Sequence, residues 1–132
     1  MLMKGKKGLV MGVANDRSIA WGIAKKIASE GAKIAFTYQG EALKKRVQPL
    51  AESIGSSILL PCDVTDSSSM ENTFNTIKKK WGNMDFLVHG IGFSNKDELR
   101  GKYYNTSSEN FNQTMHISCY SFTEACRLSE PL

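Results

Sequence analysis

Short apolar runs alternate with amphipathic segments along the whole chain, and this alternation constrains the fold more than any other feature. Gly8 to Val13 is an apolar run of strand length. Ser18 to Glu30, SIAWGIAKKIASE, then carries Ile19, Ile23, Ala24 and Ile27 at helical spacing, and Gly31 ends it. The pattern repeats with a strand over Ala32–Tyr38 and a helix over Glu41–Ile54 through Leu43, Val47, Leu50, Ala51 and Ile54. A third strand, Ser57–Val64, leads to a helix capped by Asp66 or Ser67 and running to Trp81 with Met70, Phe74 and Ile77 on one face. A fourth strand, Met84–Ile91, precedes a polar loop and one long helix from Ser107 or Ser108, through Phe111, Met115, Ser118, Phe122 and Ala125, to about Arg127. Pro49 and Pro61 mark irregular points in the second helix and the third strand. Such β-α alternation with short connections predicts an α/β fold, a doubly wound parallel sheet of Rossmann type with helices on both faces. The first four strands are expected in the order 3-2-1-4.

The 132 residues suit a single domain, and neither a repeat nor a linker interrupts them. No apolar run approaches the roughly 18 residues of a membrane span. The opening MLMKGKKGLVMGVA places basic residues before an apolar run, as a leader does, but the run stops at Asn15 without a small-x-small site and reads as a first strand. Three cysteines, Cys62, Cys119 and Cys126, lack C-x-x-C spacing, which argues against a disulfide framework and against a metal site. They are expected as reduced, mostly buried thiols in a cytoplasmic protein. The net charge of +4 comes from lysine clusters on helices, which read as solvated faces. No aromatic-interleaved basic motif points to nucleic acid.

In a doubly wound sheet, ligands bind beyond the carboxyl ends of the strands, where the strand order reverses. Polar and small residues stand at all four ends. Gly12 lets the backbone turn sharply and come close to a ligand. The helix starting at Ser18 offers unpaired N–H groups and a positive dipole end to a pyrophosphate, and the Ser18 hydroxyl either caps that helix or bonds a phosphate oxygen. Gln39 follows the second strand. Asp63 and Val64 follow the third, as a turn aspartate or as an adenine acceptor with a valine against the ring. Gly90, Ile91 and Gly92 follow the fourth, where ring or ribose can lie against main chain. A phosphate-receiver domain would also place an aspartate at the third strand end, but it needs an acidic pair for magnesium after the first strand, and Gly12–Val13 stands there.

The loop G-V-A-N-D-R-S-I-A-W-G, Gly12 to Gly22, resembles the divergent nucleotide loop of bacterial NADH-dependent enoyl-acyl carrier protein reductases, of the short-chain dehydrogenase/reductase superfamily. A-F-T-Y-Q at 35–39, C-D-V at 62–64, H-G-I-G-F at 89–93 and S-C-Y-S-F at 118–122 extend the resemblance over nearly the whole chain. It implies NADH as cofactor, held by Gly12, Ser18, Ile19, Gln39, Asp63, Val64 and Ile91, with Ser94 near the substrate, an enoyl thioester on acyl carrier protein. It also implies a cytoplasmic homotetramer for the full-length protein, acting in fatty acid synthesis without membrane or nucleic-acid partners. The family's catalytic tyrosine and lysine are not found: a Tyr-x6-Lys count from Tyr103, Tyr104 and Tyr120 reaches Asn110, Phe111 and Arg127. Residues 1–132 therefore read as a dinucleotide-binding Rossmann domain, incomplete at its C-terminus, with no catalytic residue of its own. A 3-oxoacyl-type reductase and a non-catalytic dinucleotide-binding fragment are the alternatives. His89, His116 and the three tyrosines are expected to be structural.

Overall fold

The computed structural model describes residues 1–132. Strands β1 (Lys7–Met11), β2 (Lys33–Tyr38), β3 (Ile58–Pro61) and β4 (Phe86–His89) form one parallel sheet in the order β3-β2-β1-β4. Helices α1 (Ile19–Ser29), α2 (Glu41–Ser53) and α3 (Ser67–Trp81) make the crossovers. After β4 come two 3-10 turns, Lys96–Leu99 and Tyr103–Asn105, and then α4 (Ser108–Met115), a π turn (His116–Tyr120) and α5 (Ser121–Ser129). The strand order and the parallel sheet are as predicted.

Side chains alternate across the sheet, as a period of two requires, and this builds a core on each face. Val10, Ile34 and Phe36 meet Ala20, Trp21 and Ala24 of α1 and Val47 and Ala51 of α2. Leu9, Met11 and Ala35 point the other way, onto Met70, Phe74 and Ile77 of α3 and Ala125 of α5. Phe36 is fully buried, and burying one such side chain stabilises by about 1.5–3 kcal/mol. Asp66 caps α3 by accepting from the Ser68 and Ser69 N–H groups, and Lys78, Lys79 and Lys80 complement the dipole in its last turn.

Several expectations need correction. Each strand is shorter than its apolar run. β1 stops at Met11 because Gly12 turns with φ +103°. β3 ends at Pro61, just before the last bond to β2, which the Cys62 N–H gives to the Tyr38 carbonyl at 2.8 Å, and Asp85 diverts the start of β4 by accepting from the Lys7 N–H at 2.9 Å. On α1 the buried residues are Ala20, Trp21 and Ala24, whereas Ile19 is 84% exposed and Ile23 is also exposed. The last helix is not uniform: the π turn shifts the faces on either side of it. Phe111, Met115 and Phe122 are left exposed, while Asn110, Ser121, Glu124 and Ala125 are buried. Of the cysteines only Cys62 is buried; Cys119 and Cys126 are exposed. No helix is long and apolar enough to cross a membrane.

Candidate functional site

The strand order reverses between β1 and β4, whose carboxyl ends stand side by side. The Gly90 N–H donates to the Met11 carbonyl at 2.9 Å. A side chain at Gly12 would overlap the Gly90 carbonyl, and one at Gly90 would lie 3.0 Å from the Ala20 Cβ. The closest approach at Gly12 is thus between two main chains, a reason for glycine that precedes any ligand.

Above this junction lies a cleft of about 530 Å³ that runs across the carboxyl ends of all four strands. Gly12, Gln39, Asp63, Val64 and Ile91 all line it, together with Gly90 and Gly92. Ser18, Ile19 and Ser94 do not line it. Tyr38, Leu43, Thr65, Phe93, Gln113 and Ile117 are among the other wall residues and were not named as site candidates from the sequence. Tyr38 and Thr65 adjoin residues that were. Gln113 and Ile117 stand four apart on one helix face, but only the packing of that helix beside β4 reveals their role.

Ser18 does not cap α1, and its own hydrogen is spent on neither of the bonds it makes. Its Oγ turns back and accepts from the Ala14 N–H at 2.9 Å and the Asn15 N–H at 3.2 Å, so it shapes the loop and does not cap α1. Asn15 Oδ1 accepts from the Arg17 N–H at 2.8 Å and closes the rest of the loop. With no side-chain cap and no acidic residue in its first turn, α1 keeps its positive end and its leading N–H groups available to an anion. Asp63 is a turn aspartate: its Oδ1 accepts from the Thr65 N–H at 2.9 Å and the Thr65 hydroxyl at 2.7 Å. That pairing fixes the carboxylate and leaves Oδ2 free. Val64 is buried beside it, within the core cluster on the α3 face. Lys44 Nζ sits over the Tyr38 ring, 5.8 Å from its centroid.

At the β4 side, His89 is half-buried. Its Nε2 lies 2.7 Å from Ser121 Oγ, and its ring meets Phe122 edge-on at 5.5 Å. Ser121 gives its own hydrogen to the Ile117 carbonyl at 2.6 Å, so it accepts from His89 and the ring proton is on Nε2. Burial holds this imidazole below its ordinary titration range, and burial pushes the Cys62 thiol up. His116 packs edge-on against Tyr120, and Tyr103 and Tyr104 are exposed. None of the histidines or tyrosines lines the cleft except Tyr38, and no group of acidic, histidine and cysteine side chains is arranged to hold a metal ion.

Comparison with known proteins agrees with this geometry. Residues 12–132 match the family model for enoyl-(acyl carrier protein) reductase. The chain is 58% identical over 131 residues to enoyl-[acyl-carrier-protein] reductase [NADH] 2 of Rhizobium meliloti, covering 99% of this chain and 49% of that protein. It superposes on FabI from Candidatus Liberibacter asiaticus with a TM-score of 0.95 at 58% identity, over 97% of this chain and 50% of the other. The reductase from Anaplasma phagocytophilum, solved in complex with NAD, gives a TM-score of 0.96 at 55% identity, over 100% of this chain and 50% of that one. The chain spans about half the length of the curated relatives it matches. With its 3-2-1-4 sheet, its Gly12 loop and its cleft at the switch point, the chain belongs to the enoyl-acyl carrier protein reductase family.

Proposed function

We propose that residues 1–132 are the dinucleotide-binding part of an NADH-dependent reductase that reduces the 2,3-double bond of enoyl thioesters carried on acyl carrier protein. The observation that carries this reading is the cleft at the β1–β4 switch point, with a free helix N-terminus at one strand end and a fixed carboxylate at another. The residues present suit the cofactor. The α1 N-terminus and the Ser18-ordered loop would face the pyrophosphate, with Ile19 at its exposed first position. Asp63 Oδ2 would accept from the adenine amino group while Val64 lies against the ring. Gln39, exposed and free of other hydrogen bonds, would reach the adenosine ribose. Ile91 and the flanking glycines would carry the nicotinamide half. When bound, NADH supplies the hydride for the enoyl β-carbon.

NADH is favoured over NADPH. A 2′-phosphate needs a cation just past β2, where the chain places Gln39, Gly40 and then Glu41, while the nearest lysine, Lys44, is engaged on Tyr38. The tyrosine and lysine that the family resemblance assigns to enolate stabilisation have no counterpart among these residues, so the chain by itself should not turn over substrate. The full-length protein is read as a cytoplasmic homotetramer. NADH binding, followed by fluorescence in the full-length protein, tests the site. Asp63→Ala and Gln39→Ala should each weaken it about tenfold, the worth of one well-placed hydrogen bond to a ligand. Unchanged affinity in both variants would remove the dinucleotide from this cleft.

A further inference from the structure

We propose that Asn110 is a positioning residue that sets the Phe93–Asn95 segment, whose first residue closes the β4 end of the cleft, and with it the acyl end of the substrate; the inference rests on the reading above. Asn110 lies in the first turn of α4 and is 5% exposed. Its Oδ1 accepts from the Asn95 N–H at 2.9 Å. A main-chain N–H can only donate, so the orientation of the amide is fixed. Nδ2 then donates to Ser94 Oγ at 3.1 Å and to Thr106 Oγ1 at 3.0 Å.

Two further residues continue the seam at four-residue spacing. Thr114 gives its hydroxyl to Ser94 Oγ at 3.0 Å. Ser118, in the π turn, accepts from the Phe93 N–H at 3.0 Å and donates to the Phe93 carbonyl at 3.2 Å. Residues 110, 114 and 118 thereby hold three consecutive residues, Phe93, Ser94 and Asn95, by directional bonds. Apolar packing would attach the loop to the helix equally well but would not fix where its peptide groups point, whereas directional bonds centred on one buried amide do. The Ser94 oxygen takes two donors from α4, so its own hydrogen is not spent on either of them.

The placement gives the seam a consequence beyond folding. Gly92 and Phe93 line the cleft at its β4 end, on the other side of β1 from Gln39 at the β2 end. Loosening the seam therefore affects what binds beside β4 and spares the adenosine end. The test compares Asn110→Ala and Thr114→Val with the unaltered full-length reductase, using NADH and a crotonyl thioester, on variants shown to be folded by circular dichroism. Asn110→Ala should raise the thioester KM about tenfold and Thr114→Val about threefold, for several lost bonds against one. NADH affinity should stay within about twofold of the unaltered enzyme, because the bonds removed reach Ser94, Asn95 and Thr106 and none of the residues assigned to the dinucleotide. Folded variants with unaltered thioester KM, or with NADH affinity and KM weakened together, would overturn the proposal. Thr114→Val alone decides the matter if Asn110→Ala does not fold. Absence of any turnover by the unaltered enzyme would instead refute the functional reading on which the proposal rests.

Discussion

Gly12 carries two demands at once, a φ of +103° and contact with the Gly90 main chain. Gly12→Ala must strain the first or displace β4, so it should cost at least about 2 kcal/mol in urea unfolding and abolish NADH binding. Wild-type stability in that variant would show that the junction has slack. His89 makes a prediction about pH. Its folded pKa is depressed by burial, so as the pH falls the unfolded chain takes up the proton first. This group leaves stability unaffected at high pH, lowers it as the pH drops through the ordinary imidazole range near about 6.5, and stops doing so below the folded pKa. Urea midpoints across that range should therefore slope more steeply for the unaltered chain than for His89→Leu. Equal slopes would mean that burial does not keep the ring neutral. At this scale, glycines and carboxylates at strand ends were legible in the sequence, because a sharp turn and an exposed acceptor each need a particular residue type. The direction of the Ser18 hydroxyl was not, because capping and loop bonding use the same atom and only the path of residues 14–18 decides between them.

Among the elements, α2 keeps a proline inside its helical span. Pro49 has no N–H for the Lys45 carbonyl, and both residues are exposed, so water takes the unpaired group. Pro49→Ala restores the bond and should raise stability by about 1–2 kcal/mol, less than the full interior penalty of about 3 kcal/mol because the proline also restricts the unfolded chain. A lower unfolding midpoint would show that the ring contributes packing. Apolar periodicity located every strand and helix of the sheet, since burial on one face or both leaves a readable pattern. It did not locate the ends, where single residues such as Gly12 and Asp85 intervene. It failed most clearly after Ser107. There the π turn inserts extra residues into the repeat, and the inner face of α4 carries Asn110, whose burial is made tolerable by partners distant in sequence. A polar residue paired in this way leaves no apolar signature.

For the whole molecule, the order β3-β2-β1-β4 opens one cleft across four strand ends, and a cofactor lying in it would gather residues from Gly12 to Ile117. The tyrosine and lysine that would stabilise the developing oxyanion have no counterpart among residues 1–132. Losing one oxyanion donor alone typically costs about 100- to 1000-fold in rate. The deciding measurement is the rate of NADH consumption with a crotonyl thioester, by the full-length protein and by folded residues 1–132 in parallel. The account predicts turnover by the full-length protein, faster with NADH than with NADPH, and none above background by residues 1–132. It would be contradicted by a full-length protein that leaves the enoyl thioester untouched while reducing a 3-oxoacyl thioester, or by residues 1–132 turning over at the full-length rate.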